Sequence, residues 1–182
     1  MHSFQPVVLR DVAPSAWPEV CGSCSHAFEH ELGAVYATIH GPFGLAQAFV
    51  HELAHSKLFA LGFGKESSGR LVINPTAERY PSAIRTDEPR PMSALLHAQY
   101  AFLHVVALDL AMLAAEADGA ARAHLVELLD RNVSRMEQGR RTIREHGRFD
   151  RYGAAFLSRF TPWSESLLDQ GRTVLARLRP TG

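Results

Sequence analysis

Cysteine is almost missing from this chain: Cys21 and Cys24, in the run Cys-Gly-Ser-Cys, are the only two among 182 residues. A lone pair at this spacing is half a zinc site or a redox motif. With no second pair, a four-cysteine site is excluded. His26 and His30 are near enough to complete a two-cysteine, two-histidine set, but the usual long spacer is missing. No strand–helix context of the thioredoxin kind surrounds the pair, so the reading adopted is two reduced thiols without a role. No sign of charge dominates either. Nineteen Lys and Arg balance nineteen Asp and Glu, for a formal net charge of zero, so nothing points to nucleic acid or an anionic membrane as partner. The first twenty residues lack the apolar run of a signal peptide, which makes a cytoplasmic location the expectation. One apolar run, Met92 to Ala115, is long enough to cross a bilayer. It contains His97, Gln99, His104 and Asp109, which are expensive in lipid, so it reads as a buried helix. No internal repeat is visible.

What is present is the composition of an ordinary globular chain, 46% apolar and 21% charged. The length suits one domain over 1–182 with a real core. Residues 1–20, with Pro6, Pro14 and Pro18, read as an irregular arm. Residues 21–31 suggest a short helix, and Leu32 to Ile39 is the best strand candidate, ended by Gly41 and Pro42. Long helices are predicted over 43–61, 93–117 (with Ser93 as N-cap) and 120–146, the last closed by Gly147. A short helix after Arg148 and a final one over 162–178 complete the chain. Between the first two helices, residues 62–92 form a connection rich in Gly, Pro, Ser and charge, and a loop of that length is more often functional than idle. The fold class expected is mainly α, a compact helical domain with a small β element and a metal site between two long helices.

That metal site rests on residues 51 to 55, His-Glu-Leu-Ala-His. Imidazoles four apart on a helix share a face, with Cβ atoms about 5–6 Å apart, and both reach one ion. The surrounding helix carries Leu45, Phe49, Val50, Leu53, Leu58 and Phe59, and polar groups buried in such a helix need partners, which a metal supplies. The competing reading is a chance match with both rings bonded to backbone carbonyls. In a zinc peptidase the glutamate of this motif is the general base. The third histidine that would follow a short glycine turn is missing. Gly62 and Gly64 are there, but the next histidine is His97, in the first turn of the second long helix. His97 is therefore the natural third ligand. Three protein ligands with open positions suit zinc or non-haem iron(II).

Just before His97, Arg85 and Arg90 stand in a proline-stiffened loop. Arginine forks bind carboxylates bidentately, and a metal beside such a fork is what a chelating keto acid requires. The plainer reading pairs both with Asp87 and Glu88 at the surface.

The segments HELAHSKLFAL and YPSAIRTDEPRPMSALLHAQYAFLHV together resemble the HExxH proteins that accompany ribosomally made, modified peptides. Their family pattern is HE-x-x-H-x-K-L-x-A-L, then a tyrosine-containing segment, R-x-D-x-R-P and a helix containing Y-A-F. EHGRFDRYGAAFLSRF extends the resemblance, which covers about residues 33–160. The chain departs from the family in lacking a proline–tryptophan pair before Arg85. The resemblance implies an iron(II)- and 2-oxoglutarate-dependent dioxygenase that hydroxylates an amino-acid side chain, at the β-carbon, of a peptide or carrier-bound substrate. It implies His51, His55 and His97 as metal ligands and 2-oxoglutarate contacts from Arg85 or Arg90. Glu52 then orients a ligand or water. Lys57 is placed to pair with the keto-acid carboxylate or with Glu52, or else is a solvated cation. Tyr100, one turn after His97, bonds keto acid or substrate, or packs in the core with its hydroxyl satisfied. His104 reads as a satisfied core histidine. The alternative activity is a zinc-dependent HExxH peptidase, and a third reading is a metal-stabilised peptide-binding protein.

Overall fold

The computed structural model describes residues 3–7, 25–26, 34–38, 41–64, 70–116 and 119–178. Among them are three strands and four helices: β1 (Ser3–Val7), β2 (Ser25–His26), β3 (Ala34–Thr38), α1 (Pro42–Ala60), α2 (Met92–Ala115), α3 (Gly119–His146) and α4 (Arg151–Leu178). The fold is mainly α with a small β element, as the sequence pattern predicts. Its contacts group into two compact units, Met1–Gly62 and Phe63–Gly182, so the division falls directly after α1.

The first unit holds the sheet and α1. Strand order is β1-β3-β2. β1 runs parallel to β3 with Ser3 opposite Ala34, and β2 runs antiparallel with Ser25 opposite Ala37. Two expectations are corrected here. Residues 3–7 form a strand and not an irregular arm, and Ser25–His26 form a strand and not a helix. The other residues of both segments, Cys21 and Cys24 included, lie outside the described ones. Pro6 made the arm look irregular, yet β1 is an edge strand, where a missing N–H is tolerated. Pairing with the central strand is a non-local effect that overrides local propensity at 25–26. On one face of β3, Val35 and Ala37 are fully shielded and pack with Ala48 of α1 and with Phe4, Leu45 and Phe49. Helix α1 opens with Pro42 at its first helical position, where no intrahelical donor is lost. It closes at Gly62, whose φ of 79° is the left-handed conformation that favours glycine.

The second unit is built around α2. By length and composition α2 could cross a membrane, and two of its polar side chains are bonded to its neighbour α3. Asp109 accepts a 2.8 Å hydrogen bond from Asn132 Nδ2, and both residues are 0% exposed. Gln99 Nε2 donates to the Met136 carbonyl at 2.9 Å. Arg122 Nη1 reaches back to the Leu113 and Glu116 carbonyls, satisfying acceptors that the end of α2 leaves over. Ser93 does not cap α2. The N-cap is Pro91, with the extended ψ of 154° that ends the preceding loop, and Ser93 lies buried inside the first turn.

One helix, α4, spans the two expected over its range. Pro162 sits inside it. Proline removes the N–H that would bond the Ser158 carbonyl and costs about 3 kcal/mol in a helix interior. The cost is met by a continuous buried stripe on either side of Pro162: Gly153, Phe160, Ser164, Leu167, Leu168, Gly171 and Leu175. Asp150 caps the helix, its Oδ1 accepting from the Gly153 N–H at 2.7 Å.

The connection that reads as a long loop is tied down at several points, Asn74 foremost. Asn74, 3% exposed, donates to the Tyr80 hydroxyl at 2.9 Å and to the His146 carbonyl at 3.0 Å, and accepts from the Arg148 N–H at 2.7 Å. Tyr80 and Arg90 exchange two 2.9 Å backbone bonds across the loop. Glu78 accepts from Tyr80 and Arg148, whose hydrogen bonds hold its carboxyl below the usual carboxylate range.

Where α4 passes this loop, a Cβ on Gly153 would stand 2.2 Å from the Leu71 carbonyl oxygen. Gly→Ala inside a helix ordinarily gains about 1 kcal/mol. Here backbone meets backbone and neither side can rotate away. Gly153→Ala is expected to destabilise the protein by about 1–3 kcal/mol in urea unfolding. A stabilised variant would show that the loop yields.

Candidate metal centre

Buried positions in α1 recur at Ala48, Glu52, His55 and Phe59, with Gln47, Ala54 and Leu58 beside them. This is the i, i+4, i+7, i+11 spacing of one helical face. Two of its members are polar, so the motif projects from the shielded side of the helix. His55 is 4% and Glu52 1% exposed. His51 flanks them, its side chain 17% exposed. The two rings meet edge to face, with centroids 4.5 Å apart. Their Nε2 atoms lie 3.0 Å from each other.

Two bare lone pairs do not face each other at that distance. One ring donates an N–H to the other, or one cation takes both lone pairs. The donor set fits the second occupant: nitrogens that each sit about 2.0–2.1 Å from one ion are about 2.8–3.4 Å apart. His55 also stacks on Phe59 at 6.2 Å, which fixes its ring plane. The alternative expected from sequence, both rings on backbone carbonyls, is not the arrangement of these Nε2 atoms.

Glu52 lies beside this pair. Its Oε1 is 3.9 Å from His51 Nε2 and accepts a 2.7 Å hydrogen bond from Ser25 Oγ on β2. Ser25 is the residue that the sequence alone did not single out. It lies in an unremarkable stretch after the cysteine pair, and only the non-local pairing of β2 with β3 brings it to α1. Lys57 is exposed on the same helix.

His97 belongs to the second unit, in the second turn of α2, and is 3% exposed. Tyr100, a turn later, enters an aromatic group with His104, Phe156 and Phe160, at ring separations of 4.6, 6.0 and 5.9 Å. Burial raises its phenol above the usual tyrosine value. The surroundings of its ring are those of a packed side chain. His104 Nδ1 donates to the Tyr100 carbonyl at 2.9 Å, so it is the satisfied histidine that the sequence suggests. Among the described residues, no group of three or more His, Cys, Asp or Glu is assembled to hold a metal ion.

Arg85 and Arg90 have carboxylates at hand. Arg85 forks onto Asp87 through Nε at 3.0 Å and Nη2 at 2.9 Å, and Arg90 Nη1 donates to Glu88 at 2.7 Å. Ser82 Oγ accepts from the Arg85 N–H at 3.0 Å and shapes the turn. Asp87 raises the Arg85 guanidinium above its ordinary value, and Arg85 lowers the Asp87 carboxyl. The plainer reading of the loop is thus realised in the structure. It does not consume Arg85, because exposed ion pairs of this kind contribute about 0–1 kcal/mol and exchange readily, while Arg90 is half-buried.

No family model matches the chain, and no curated protein matches it.

Ser25→Ala removes one donor from a carboxyl group that has almost no access to water. A hydrogen bond to a charged group contributes about 1.5–3 kcal/mol, and a loss of that size is expected in urea unfolding. Unchanged stability would mean that the Ser25–Glu52 bond contributes nothing to the fold.

Proposed function

We propose that the protein is an iron(II)- and 2-oxoglutarate-dependent hydroxylase acting on an amino-acid side chain, at the β-carbon, of a peptide or carrier-bound substrate. The observation that carries the reading is the pair of imidazole nitrogens 3.0 Å apart on the shielded face of α1. The resemblance of the HELAH and RTDEPRP segments to the peptide hydroxylases supplies the reaction class, although the second arginine stands one residue later than in the family's R-x-D-x-R-P. His51 and His55 are the ligands, with His97 proposed as the third. Iron(II) held there would supply the activation of dioxygen, with 2-oxoglutarate as the two-electron reductant: one oxygen atom would enter the substrate and the other the succinate left after loss of carbon dioxide.

The side chains of the protein bind and orient. Glu52, held by Ser25, fixes the polarity beside His51. Arg85 or Arg90 exchanges its surface carboxylate for the distal carboxylate of the keto acid. Lys57 is exposed and free to approach the same anion. Tyr100, one turn after His97, is the proposed hydroxyl contact to keto acid or substrate, its ring packed against Phe156 and Phe160.

One observation favours the zinc peptidase as a second reading. Glu52 is buried within 3.9 Å of a motif histidine, where a general base of that class belongs. Glu52→Gln separates the two. A hydroxylase retains metal and loses about 10–100-fold of its turnover, whereas a peptidase retains metal and loses nearly all peptide cleavage.

The decisive experiment is anaerobic titration of the purified chain with iron(II) and 2-oxoglutarate, followed by the weak visible charge-transfer band. The expected outcome is a saturable band that is lost in His51→Ala, His55→Ala and His97→Ala. Replacing the correct arginine by alanine is expected to weaken 2-oxoglutarate by about 10–150-fold, the equivalent of one bidentate charge-assisted contact. Lysine at that position should rescue only in part, because it lacks the fork. Absence of a band in the wild type, or unchanged affinity in both arginine variants, would end the oxygenase reading. Full metal occupancy in His97→Ala would remove that residue from the site.

A further inference from the structure

A second site lies on the helical unit, in an open cleft of about 370 Å³ between α2 and α4. Tyr100 and His104 of α2 line it, with Phe156, Arg159, Phe160 and Trp163 of α4. The residues from α4 fall at the i, i+3, i+4, i+7 spacing of one helical face, and the two from α2 are one turn apart. All but Arg159 are rings, and the rings touch in series. Tyr100 lies 4.6 Å from His104, His104 5.0 Å from Trp163, Trp163 5.9 Å from Phe160 and Phe160 5.2 Å from Phe156. The series is not closed over. Trp163 is 37% exposed, and Tyr152, one turn before Phe156, is 56% exposed. Single exposed apolar residues are ordinary, but a contiguous aromatic surface beside a cleft marks a binding site.

The polar groups of the cleft are mainly donors. Arg159 is exposed, and among the described residues no carboxylate or carbonyl engages its guanidinium. The Tyr100 hydroxyl and the Trp163 indole N–H are likewise without a hydrogen-bond partner among the described residues. His104 Nδ1 is committed to the Tyr100 carbonyl. No Asp or Glu is among the described residues that line the cleft, so the arginine leaves it with a net positive charge.

We propose that this cleft binds a compact aromatic carboxylate, an acid whose ring and carboxylate are joined by a short chain. The ring meets Phe156, Phe160 and Trp163 in the offset or edge-to-face arrangements that aromatic groups prefer. The carboxylate takes the Arg159 fork, which matches it bidentately, and accepts from the Tyr100 hydroxyl or the Trp163 N–H. A cation would find ring faces to its liking, but it would stand beside a guanidinium with no acid to offset the repulsion. A neutral amide satisfies donors and leaves the charge of Arg159 unmet. An acid without a ring leaves the aromatic walls unfilled. The volume is at the lower end of small-ligand pockets. The inference does not rest on the metal reading. Tyr100 is the residue the two share, and binding in the cleft requires neither iron nor 2-oxoglutarate.

The probe is 3-phenylpropanoate, titrated calorimetrically into the full chain in the presence of a metal chelator. Its neutral counterpart is 3-phenylpropanamide, and its ringless counterpart is hexanoate. The expected result is saturable binding of one acid per chain, with each counterpart about tenfold weaker. Arg159→Gln is expected to lower the acid to the affinity of the amide and to leave the amide unchanged. Arg159→Lys should retain part of the difference, because it keeps the charge without the fork. Trp163→Leu should weaken acid and amide alike. Arg159 is exposed, so Arg159→Gln should unfold at the wild-type temperature, and it decides the matter alone if Trp163→Leu fails to fold. No saturable binding of the acid, equal affinity for the acid and either counterpart, or undiminished binding by Arg159→Gln would each overturn the proposal. With metal chelated and turnover not read, failure here and failure of the metal reading are separate results.

Discussion

Asp109 and Asn132 face each other with no access to solvent, and the 2.8 Å bond between them fixes how α2 and α3 are rotated and shifted against one another. Apolar packing alone tolerates small slides, since one leucine ridge is much like the next. A buried polar pair does not, because a slide leaves both groups without water and without each other. The Gln99 contact to the Met136 carbonyl and the Arg122 contacts to the end of α2 act in the same direction. With the register of α2 set, the positions of His97, Tyr100 and His104 along it are set too. The residues of α2 that the proposal uses, His97 and Tyr100, therefore sit on a helix whose rotation is determined by residues away from them.

The helices were legible because their apolar positions recur at the helical period and their ends carry punctuation. Pro42 and Gly62 bound α1, and Gly119 follows the break before α3. What local pattern could not show was what lies across the fold. Pro162 suggests a boundary, and only the stripe from Gly153 to Leu175, packed against neighbouring helices, carries α4 through it. Ser3–Val7 and Ser25–His26 are too short and too irregular in composition to announce strands, and both exist by pairing with β3. Ser93 has the side chain of an N-cap but not the position, because Pro91 already imposes the extended turn where the helix begins.

The candidate site divides the same way. The i, i+4 spacing of His51 and His55 predicts that both rings share a face, and the structure brings their nitrogens together at 3.0 Å. The apolar residues around the pair already implied a shielded helix, but nothing in the sequence disclosed that Ser25 would lie against Glu52. The arginines show the opposite case. Their carboxylate chemistry was evident, and the nearest carboxylates proved to be those of their own loop, Asp87 and Glu88. The Arg85–Asp87 pair is exposed and weak, so it orients that guanidinium at small cost and releases it to a better anion at small cost, whereas Arg90 is half-buried.

A metal ion and a shared proton are mutually exclusive occupants of the His51–His55 gap. Either one nitrogen carries the hydrogen that bonds the other, or both lone pairs point at one cation. The proton alternative leaves Glu52 buried beside two imidazoles, with the Ser25 hydroxyl among its partners. Desolvating a carboxylate is expensive, and that hydroxyl offsets part of the cost. On the proposed reading a cation in the gap would offset more, at a distance where low-dielectric surroundings strengthen the attraction. Desolvation would favour iron and zinc alike. The choice between them falls to the arginine loop and to what Glu52 does when its charge is removed.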